Sequence, residues 1–379
     1  MFDPNPPAPA PAGRDLRLDF FRGLALAFIF LNHIPDNAAS WLSSRNWGFS
    51  DATEIFVFVS GYSAALAYGA VLARSGFMAC AAKIGNRVWQ IYVAHIVLFV
   101  LFVAQIAYVV EGFDNSLYAE EMNVVDFMHQ PHVVIAQALL LKFRPVNMDV
   151  LPLYVVLLAA MPAILWGLRR RAAWVLVGSA VLWWLSDHLK WNLPAYPGNK
   201  GWYFNPLCWQ FLFVLGAWFG TRHGTPSVGR LRRTAFVPAA AAFLVFALMV
   251  VATWSVPGLN WLVPSWLARL LYPIDKTNLD LLRLLHFLAL AYLTVILVKP
   301  DAAFLDGAWA RPLVLMGQHS LYVFCVGVFL SFVGHFVLVE FGDSVVRQFA
   351  VSLTGIALML GLAAFLRWYR RIEGGRTRA

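Results

Sequence analysis

Ten long apolar stretches constrain the fold of this chain more than any other feature. Most are about 17 to 25 residues long, which is the length a helix needs to cross a bilayer. In lipid, a helix satisfies its own backbone hydrogen bonds. We predict spans at about 17–35, 53–73, 88–110, 150–168, 172–187, 205–221, 234–254, 281–298, 313–338 and 347–368. The predicted fold is an all-α polytopic membrane protein with about ten transmembrane helices.

The composition agrees with this class. Hydrophobic residues make up 60% of the chain and charged residues 13%, whereas a soluble domain carries about 25% charged residues. The 16 Trp and 30 Phe fit aromatic belts at the membrane interfaces. The three Cys lie in apolar segments and predict neither a disulfide framework nor a metal site. Residues 1–13 are rich in Pro and Ala and predict a disordered tail without a cleavable signal peptide.

The distribution of charge predicts the orientation. With the N-terminus in the cytoplasm, 20 of the 29 Lys and Arg residues fall on the inner side, as the positive-inside rule requires. An even number of spans also places the C-terminus inside. The net charge of +9 therefore reflects topology, and we predict no nucleic-acid partner. The predicted organisation is a cytoplasmic tail at 1–13, one transmembrane domain at 14–368 and a basic cytoplasmic tail at 369–379.

The first span carries two polar residues that are costly in a membrane. Arg22 and His33 are eleven residues apart, so they lie on nearly one face of the helix and about 16 Å apart along its axis. Such residues usually face a bundle interior or a water-filled cavity. We predict that this stripe forms the spine of a membrane acyl-transfer site. Alternatively, His33 is a helix-end histidine bonded to a backbone carbonyl.

Two carboxylates, Asp51 and Glu54, open the second span close to His33 in sequence. Gly61 and Ala65 form a small-residue face that favours tight helix packing, and the short connection favours span one as the neighbour. A carboxylate that holds one imidazole nitrogen would leave the other nitrogen free to act as a base. The predicted catalytic group is therefore His33 with Glu54 or Asp51.

Basic residues cluster on the predicted inner side and suit phosphate or carboxylate groups. These residues are Arg17, Arg22, Lys83, Arg87, Arg311 and His319. Topology and anionic lipid headgroups are the alternative explanation, above all for Lys83 and Arg87. Arg22 is followed by a long apolar run and is expected to point into the bundle, where Asp19 three residues earlier would partly neutralise it.

Amides, acids and indoles gather on the predicted outer side, where they suit a hydroxyl-rich ligand. The candidates for acceptor or acyl-end binding are Asn32, Asn147, Asp149, Trp202, Asn205, Trp209, Lys276, Arg283 and His286. Each one, taken singly, also fits a structural role, and the Trp residues fit an aromatic belt. Arg283 and His286 share a helix face and form either an anion site or a buried hydrogen-bonded pair.

The segments RDLRLDFFRGLALAFIFLNHIP and RNWGFSDATEIFVFVSGYSAALAYG resemble the OpgC-type family, bacterial inner-membrane proteins that succinylate osmoregulated periplasmic glucans. Further similar segments are PVNMDVLPLY, WYFNPLCWQFLFVLG, DKTNLDLLRLLHFLAL and MGQHSLYVFC. The family in turn resembles the transmembrane acyltransferase-three superfamily. There, an Arg eleven residues before a His marks the first helix, and an acidic residue precedes the second span. Arg22, His33 and Glu54 occupy these positions here.

A third superfamily motif is only partly present. An RxxR sequence after the second span is implicated in acyl-CoA binding in that superfamily. Arg87 matches its second Arg, but Ile84 stands at the first position with Lys83 beside it.

The resemblance implies a multi-pass inner-membrane enzyme that binds no permanent cofactor and uses acyl-CoA, succinyl-CoA above all, as its donor. It also implies a periplasmic glucan as acceptor and an association with the machinery of glucan synthesis. His33 would accept the proton of a glucose hydroxyl, and Asn32 and Asn205 are candidate oxyanion donors. The alternatives are acetyl transfer, a transporter of glycans or organic anions, and a subunit that holds glucan for another enzyme.

Overall fold

The computed structural model describes residues 15–198, 200–221, 236–256, 258–300 and 302–376, which fold as helices and connecting loops without a β-strand. The helices are α1 (Leu16–Asn32), α2 (Ala52–Phe113), α3 (Leu117–Glu121), α4 (Val125–His129), α5 (Pro131–Leu139), α6 (Val150–His188), α7 (Pro206–Gly220), α8 (Phe236–Ser255), α9 (Ser265–Leu271), α10 (Leu281–Leu297), α11 (Ala310–Gln318), α12 (Ser320–Phe341) and α13 (Val345–Arg376). Short 3-10 turns lie at Ala38–Leu42, Ser44–Asn46, Asn260–Leu262 and Ala303–Asp306.

Five of these helices, α2, α6, α8, α12 and α13, are long and apolar enough to cross a membrane, and α7 and α10 are shorter apolar helices. The predicted all-helical membrane fold is confirmed in this form. Ten crossings and cytoplasmic termini stay predictions, as do the domain boundaries. Residues 1–13 lie outside the described residues, and α13 continues through most of the predicted C-terminal tail.

Two pairs of predicted spans are joined by helix rather than by loops. Helix α2 contains both 53–73 and 88–110 and is interrupted at Gly76, whose φ of 79° and ψ of −178° are outside the helical region. No neighbour lies within 4 Å of a Cβ placed on Gly76, so its backbone angle and not lack of space calls for glycine. Helix α6 is interrupted in the same way at Arg171, where φ is −147° and ψ is 65°.

The prediction of a single helix at 313–338 is wrong, because the helix is interrupted at His319, between α11 and α12. His319 has φ −114° and ψ 30°, outside the α-helical region. Helix α11 lies directly against α1. A Cβ on Gly23 or Gly317 would come within 1.8 or 1.9 Å of a carbonyl oxygen of the other helix. The position of α11 is thus set by α1. Hydropathy alone did not predict the interruption, because one non-helical residue hardly changes the average hydropathy of an apolar stretch.

The sequence predicted that the small-residue face of α2 packs on α1. In the structure this face packs on α7 instead. A Cβ on Gly61 would lie 2.1 Å from the Phe213 carbonyl oxygen, and a Cβ on Gly216 of α7 would lie 2.2 Å from the Phe58 carbonyl oxygen. The short loop does bring α1 and α2 into contact, but the close backbone approach is made by a helix distant in sequence.

A small hydrophobic cluster holds the loop before α2 at one end of the bundle. Phe49, in the loop before α2, is buried with Val250 and Val251 of α8 and Leu271 of α9. Helix α5 and the loop after it occupy 131–149. These loops cover the ends of α1, α2 and α6, where a large cavity lies.

We predict that Gly61→Ala destabilises the protein by about 1–3 kcal/mol, because the new methyl group overpacks the α2–α7 contact. The measurement is the midpoint of thermal unfolding in detergent. Gly69→Ala on the same helix is the matched control, because nothing lies within 4 Å of its Cβ position, and alanine there should be neutral or stabilising. Equal midpoints for the two variants would contradict the packing described above.

Candidate functional site

A large cavity of about 910 Å³ lies where α1 ends and where α2 and α6 begin. Seven residues predicted from the sequence as site residues line it: Asn32, His33, Asp51, Asn147, Asp149, Lys276 and Arg283. They come from distant parts of the chain, so the structure brings together what the sequence could only suggest separately. Their roles in catalysis or binding stay predictions.

His33 lies in the C-cap position of α1. Its backbone N–H donates to the carbonyl oxygens of Ile29 and Phe30, and its own carbonyl accepts from Asn147 Nδ2 at 3.2 Å. The side-chain Nδ1 is enclosed and has no hydrogen-bond partner among the described residues. The ring therefore offers Nε2, and not Nδ1, to a molecule in the cavity.

Among the described residues, no carboxylate forms the expected hydrogen bond with the His33 ring. Asp51 and Glu54 instead form a capping box at the start of α2. The Asp51 side chain accepts from the Thr53 N–H at 2.8 Å, and Glu54 Oε2 accepts from the Asp51 N–H at 2.9 Å. This arrangement satisfies the free backbone N–H groups of the first helical turn. Both carboxylates are thus bound to the start of α2, and neither forms a hydrogen bond with His33.

Two cations hold these carboxylates. Lys276 Nζ lies 2.6 Å from Asp51 Oδ2. Arg283 donates from Nε to Glu54 Oε1 at 2.8 Å, and its NH2 group lies 2.6 Å from Glu54 and 3.3 Å from Asp51. Two positive and two negative charges thus form one cluster, which we call the charge cluster. Both cations are therefore paired in this structure, and their role in binding the acyl end stays a prediction.

The electrostatics of Asp51 follow from this pairing. Burial raises the pKa of the Asp51 carboxyl, but attraction by Lys276 and Arg283 outweighs burial and holds this pKa well below its ordinary value. The Asp51 carboxylate therefore stays ionised throughout the physiological pH range and is not a proton acceptor at neutral pH.

His286 and Arg283, one turn apart on α10, bind different partners and not each other. His286 Nδ1 lies 2.7 Å from Ser50 Oγ, while Arg283 binds the carboxylates at the start of α2. A Cβ on Gly48 would lie 2.0 Å from His286 Nε2, so only glycine fits against this ring. His286 thus contacts the loop that leads into the charge cluster, and its role in ligand binding stays a prediction.

A second ion pair also lines the large cavity. Its carboxylate, Asp149, was predicted as a site residue, but its basic partner, Arg144, was not. Arg144 Nε donates to Asp149 Oδ1 at 2.8 Å, and its guanidinium lies 4.3 Å from the Trp202 ring centroid. Burial raises the pKa of Asp149 above its ordinary value, and Arg144 opposes part of that shift. Asn147 adopts a φ of 70° in the turn between the two. An Arg shortly before the polar sequence VNMD is the only sequence signal for this pair.

Three predicted acceptor residues are buried outside the cavity lining. Trp209 donates its indole N–H to the carbonyls of Lys276 and Thr277, and Asn205 caps α7 and binds Asn278. Trp202 is enclosed between Arg144 and the Pro194 carbonyl. Their side chains hold loops together in this structure, and their predicted roles in acceptor binding, with the oxyanion role of Asn205, stay predictions.

A smaller cavity of about 160 Å³ holds Arg22 and Arg87. Arg22 donates to Ser63 Oγ at 2.6 Å and lies 3.9 Å from Asp19, which confirms the predicted i−3 partner. Arg87 donates to Gln90 at 3.0 Å. The structure thus brings two of the six predicted donor-site residues into one cavity.

The other four predicted donor residues lie outside this small cavity. Arg17 is bound to Asp15 at 2.8 Å, and Lys83 and Arg311 are exposed. His319 is buried at the break between α11 and α12, next to Ser320, which does line the small cavity.

Residues of α1, α2 and α6 line both cavities. On α2, Thr53 lines the larger cavity and Phe56, one turn on, lines the smaller one; on α6, Val150 and Leu151 divide in the same way. The Phe56 ring lies 6.3 Å from Tyr154 and 6.1 Å from Phe324, centroid to centroid. These three aromatic rings line the small cavity.

Comparison with known protein families gives a match over nearly the whole chain. The model of the family described as OpgC protein matches residues 14–371, nearly the whole chain. Neither the curated proteins nor the solved structures give a significant match.

We predict that Arg283→Met costs about 3–5 kcal/mol of folding stability, because it leaves the fully buried Glu54 carboxylate without its main partner. Lys276→Met is the matched comparison. Lys276 is more exposed, with 28% of its side chain accessible, and its loss should cost less. Unfolding midpoints in detergent provide the measurement.

A double variant, Arg283→Met with Glu54→Gln, removes both the buried anion and its partner. It should recover part of the loss seen with Arg283→Met alone. If the double variant is less stable than the sum of the two single changes predicts, the pairing described here does not govern the stability of this region.

Proposed function

Because the chain belongs to the OpgC protein family, we propose that it moves an acyl group, succinyl in the first place, from cytoplasmic acyl-CoA to a hydroxyl of a periplasmic glucan. Membership of this family indicates an acyltransferase role in glucan modification. The proposal adds the donor, the acyl group, the acceptor and an inner-membrane location. It names no permanently bound cofactor, and the glucan-synthesis machinery is the proposed partner.

One observation carries the proposal. A histidine with an available ring nitrogen lines a large polar cavity, and two arginines line a small cavity one helical turn away on the same helices. Two substrates that arrive from opposite ends of the bundle could meet between them. Holding both reactants in place can supply about 7–11 kcal/mol of the barrier reduction.

The small cavity suits the donor. Arg22 and Arg87 provide guanidinium groups that bind phosphate through paired hydrogen bonds. The cavity is much smaller than its neighbour, which fits an extended pantetheine arm and leaves the nucleotide outside, near the exposed Lys83. The aromatic rings of Phe56, Tyr154 and Phe324 would then surround the arm where it approaches His33.

The large cavity suits the acceptor. Its lining mixes amides, charged groups and the rings of Tyr196 and Tyr203, which are groups that bind sugar hydroxyls and sugar faces. Asn32, next to His33, accepts from Ser43 at its Oδ1, so its Nδ2 group is available to a ligand in the cavity. Asn32 is the predicted oxyanion donor that the geometry supports.

The reaction balances with these groups. The glucan hydroxyl oxygen attacks the thioester carbonyl carbon while His33 Nε2 takes the hydroxyl proton, and the carbonyl oxygen becomes an oxyanion. As the oxyanion collapses, the carbon–sulfur bond breaks, and the imidazolium returns the proton to the sulfur. The products are the acylated glucan and free CoA thiol. General-base help of this kind typically contributes ~10²–10⁴-fold.

We predict that His33→Ala lowers kcat for transfer of labelled succinate from succinyl-CoA to glucan by ~10²-fold or more, because the base is lost. The assay uses the purified full-length protein in detergent or liposomes. His132→Ala is the matched control, since His132 is exposed on α5 away from both cavities. A normal rate in His33→Ala would refute the base assignment and would favour a transporter or a glucan-binding subunit.

We also predict that Arg22→Gln and Arg87→Gln raise the KM for acyl-CoA about tenfold, because each removes a phosphate contact of about 1.5–3 kcal/mol, while the KM for glucan stays near normal. Steady-state kinetics with each substrate varied in turn provides the measurement. Arg74→Gln, an exposed residue on the same helix outside both cavities, is the control. A larger effect on glucan than on acyl-CoA would contradict the two-sided arrangement.

A further inference from the structure

The large cavity contains more positive charge than its carboxylates neutralise. Lys276, Arg283 and Arg144 are held in ion pairs with Asp51, Glu54 and Asp149. Three further cations line the same cavity and form no ion pair among the described residues: Arg45, Lys142 and Lys200. A cavity with this charge favours an anionic ligand.

The position of Arg45 is fixed by its neighbours in the loop between α1 and α2. Two residues before it, the fully buried Ser43 donates to Asn32 Oδ1 at 2.7 Å, which ties the loop to the end of α1 beside His33. Three residues after it, Gly48 lies against the His286 ring. Arg45 is therefore presented to the cavity by a segment held on both sides.

Arg45 and the proposed base line the same cavity. The charges of Arg45, Lys276 and Asp51 all act on the His33 imidazole. Lys276 and Asp51 bind each other at 2.6 Å, so Arg45 is the cation close to His33 that remains open to a ligand anion. Its guanidinium can bind a carboxylate through two parallel hydrogen bonds.

We propose that Arg45 binds the free carboxylate of a dicarboxylic acyl group and so selects succinyl over acetyl donors. This inference rests on the proposed function. A donor that enters past Arg22 places its thioester carbonyl at His33, and the rest of the acyl chain then extends into the large cavity. In a succinyl group, the carboxylate lies two methylene groups beyond the carbonyl carbon. An unpaired cation just beyond the base is the group that recognises it.

The test compares two donors in Arg45→Gln. We expect kcat/KM with succinyl-CoA to fall about tenfold or more, as loss of a charge-assisted hydrogen bond implies, and kcat/KM with acetyl-CoA to change far less. Removing a charge near His33 alters the base equally for both donors, so the ratio isolates carboxylate recognition. Arg45→Lys should restore part of the succinyl preference. Arg269→Gln, an exposed cation of α9 outside both cavities, controls for net charge.

An equal loss with both donors, or no loss, would overturn the role of Arg45. A binding measurement separates that failure from failure of the proposed function. Succinyl-CoA should raise the unfolding midpoint of the wild-type protein more than acetyl-CoA does, and Arg45→Gln should abolish this difference. If wild-type protein transfers no acyl group but shows this difference, the proposed transfer fails and the carboxylate site stands. If the difference is absent, the carboxylate site fails.

Discussion

The buried charge cluster of Asp51, Glu54, Lys276 and Arg283 is the interaction on which the rest of the site depends. Removing four charges from water is costly, and the cost is offset only where the opposite charges meet with good geometry. Here the separations of 2.6–3.3 Å meet that condition. The cluster joins the start of α2 to α10 and the loop before it, which are more than 200 residues apart in sequence. It fixes one wall of the large cavity.

The cluster also explains the chemistry available to His33. Because both nearby carboxylates are bound to cations and to the first turn of α2, neither holds the imidazole. His33 is positioned through its backbone, by the cap of α1 and by Asn147. In the proposed reaction, the base therefore acts without an acidic partner, and Arg45 is a nearby cation whose charge no carboxylate neutralises among the described residues. A positive environment stabilises a developing oxyanion.

Sequence reasoning found the class of fold and seven residues of the cavity lining, because apolar length and intramembrane polar residues carry strong physical constraints. It could not find which polar residues pair with which. Gly61 packs on α7 because helix neighbours in a bundle are set by complementary surfaces, and Trp209 and Asn205 turned out to be buried loop supports. Arg144 and Arg45 were missed because a cation in a polar loop looks like a solvated one until the loop is placed.

A structure of the protein bound to a non-hydrolysable succinyl-CoA analogue tests the central claim, delivery of the donor through the small cavity to His33, most directly. The account predicts the pantetheine arm beside Arg22 and Arg87, with the acyl carbonyl carbon about 3–3.5 Å from the acceptor hydroxyl position next to His33 Nε2. A donor bound wholly within the large cavity, with Arg22 and Arg87 free of contact, would contradict it.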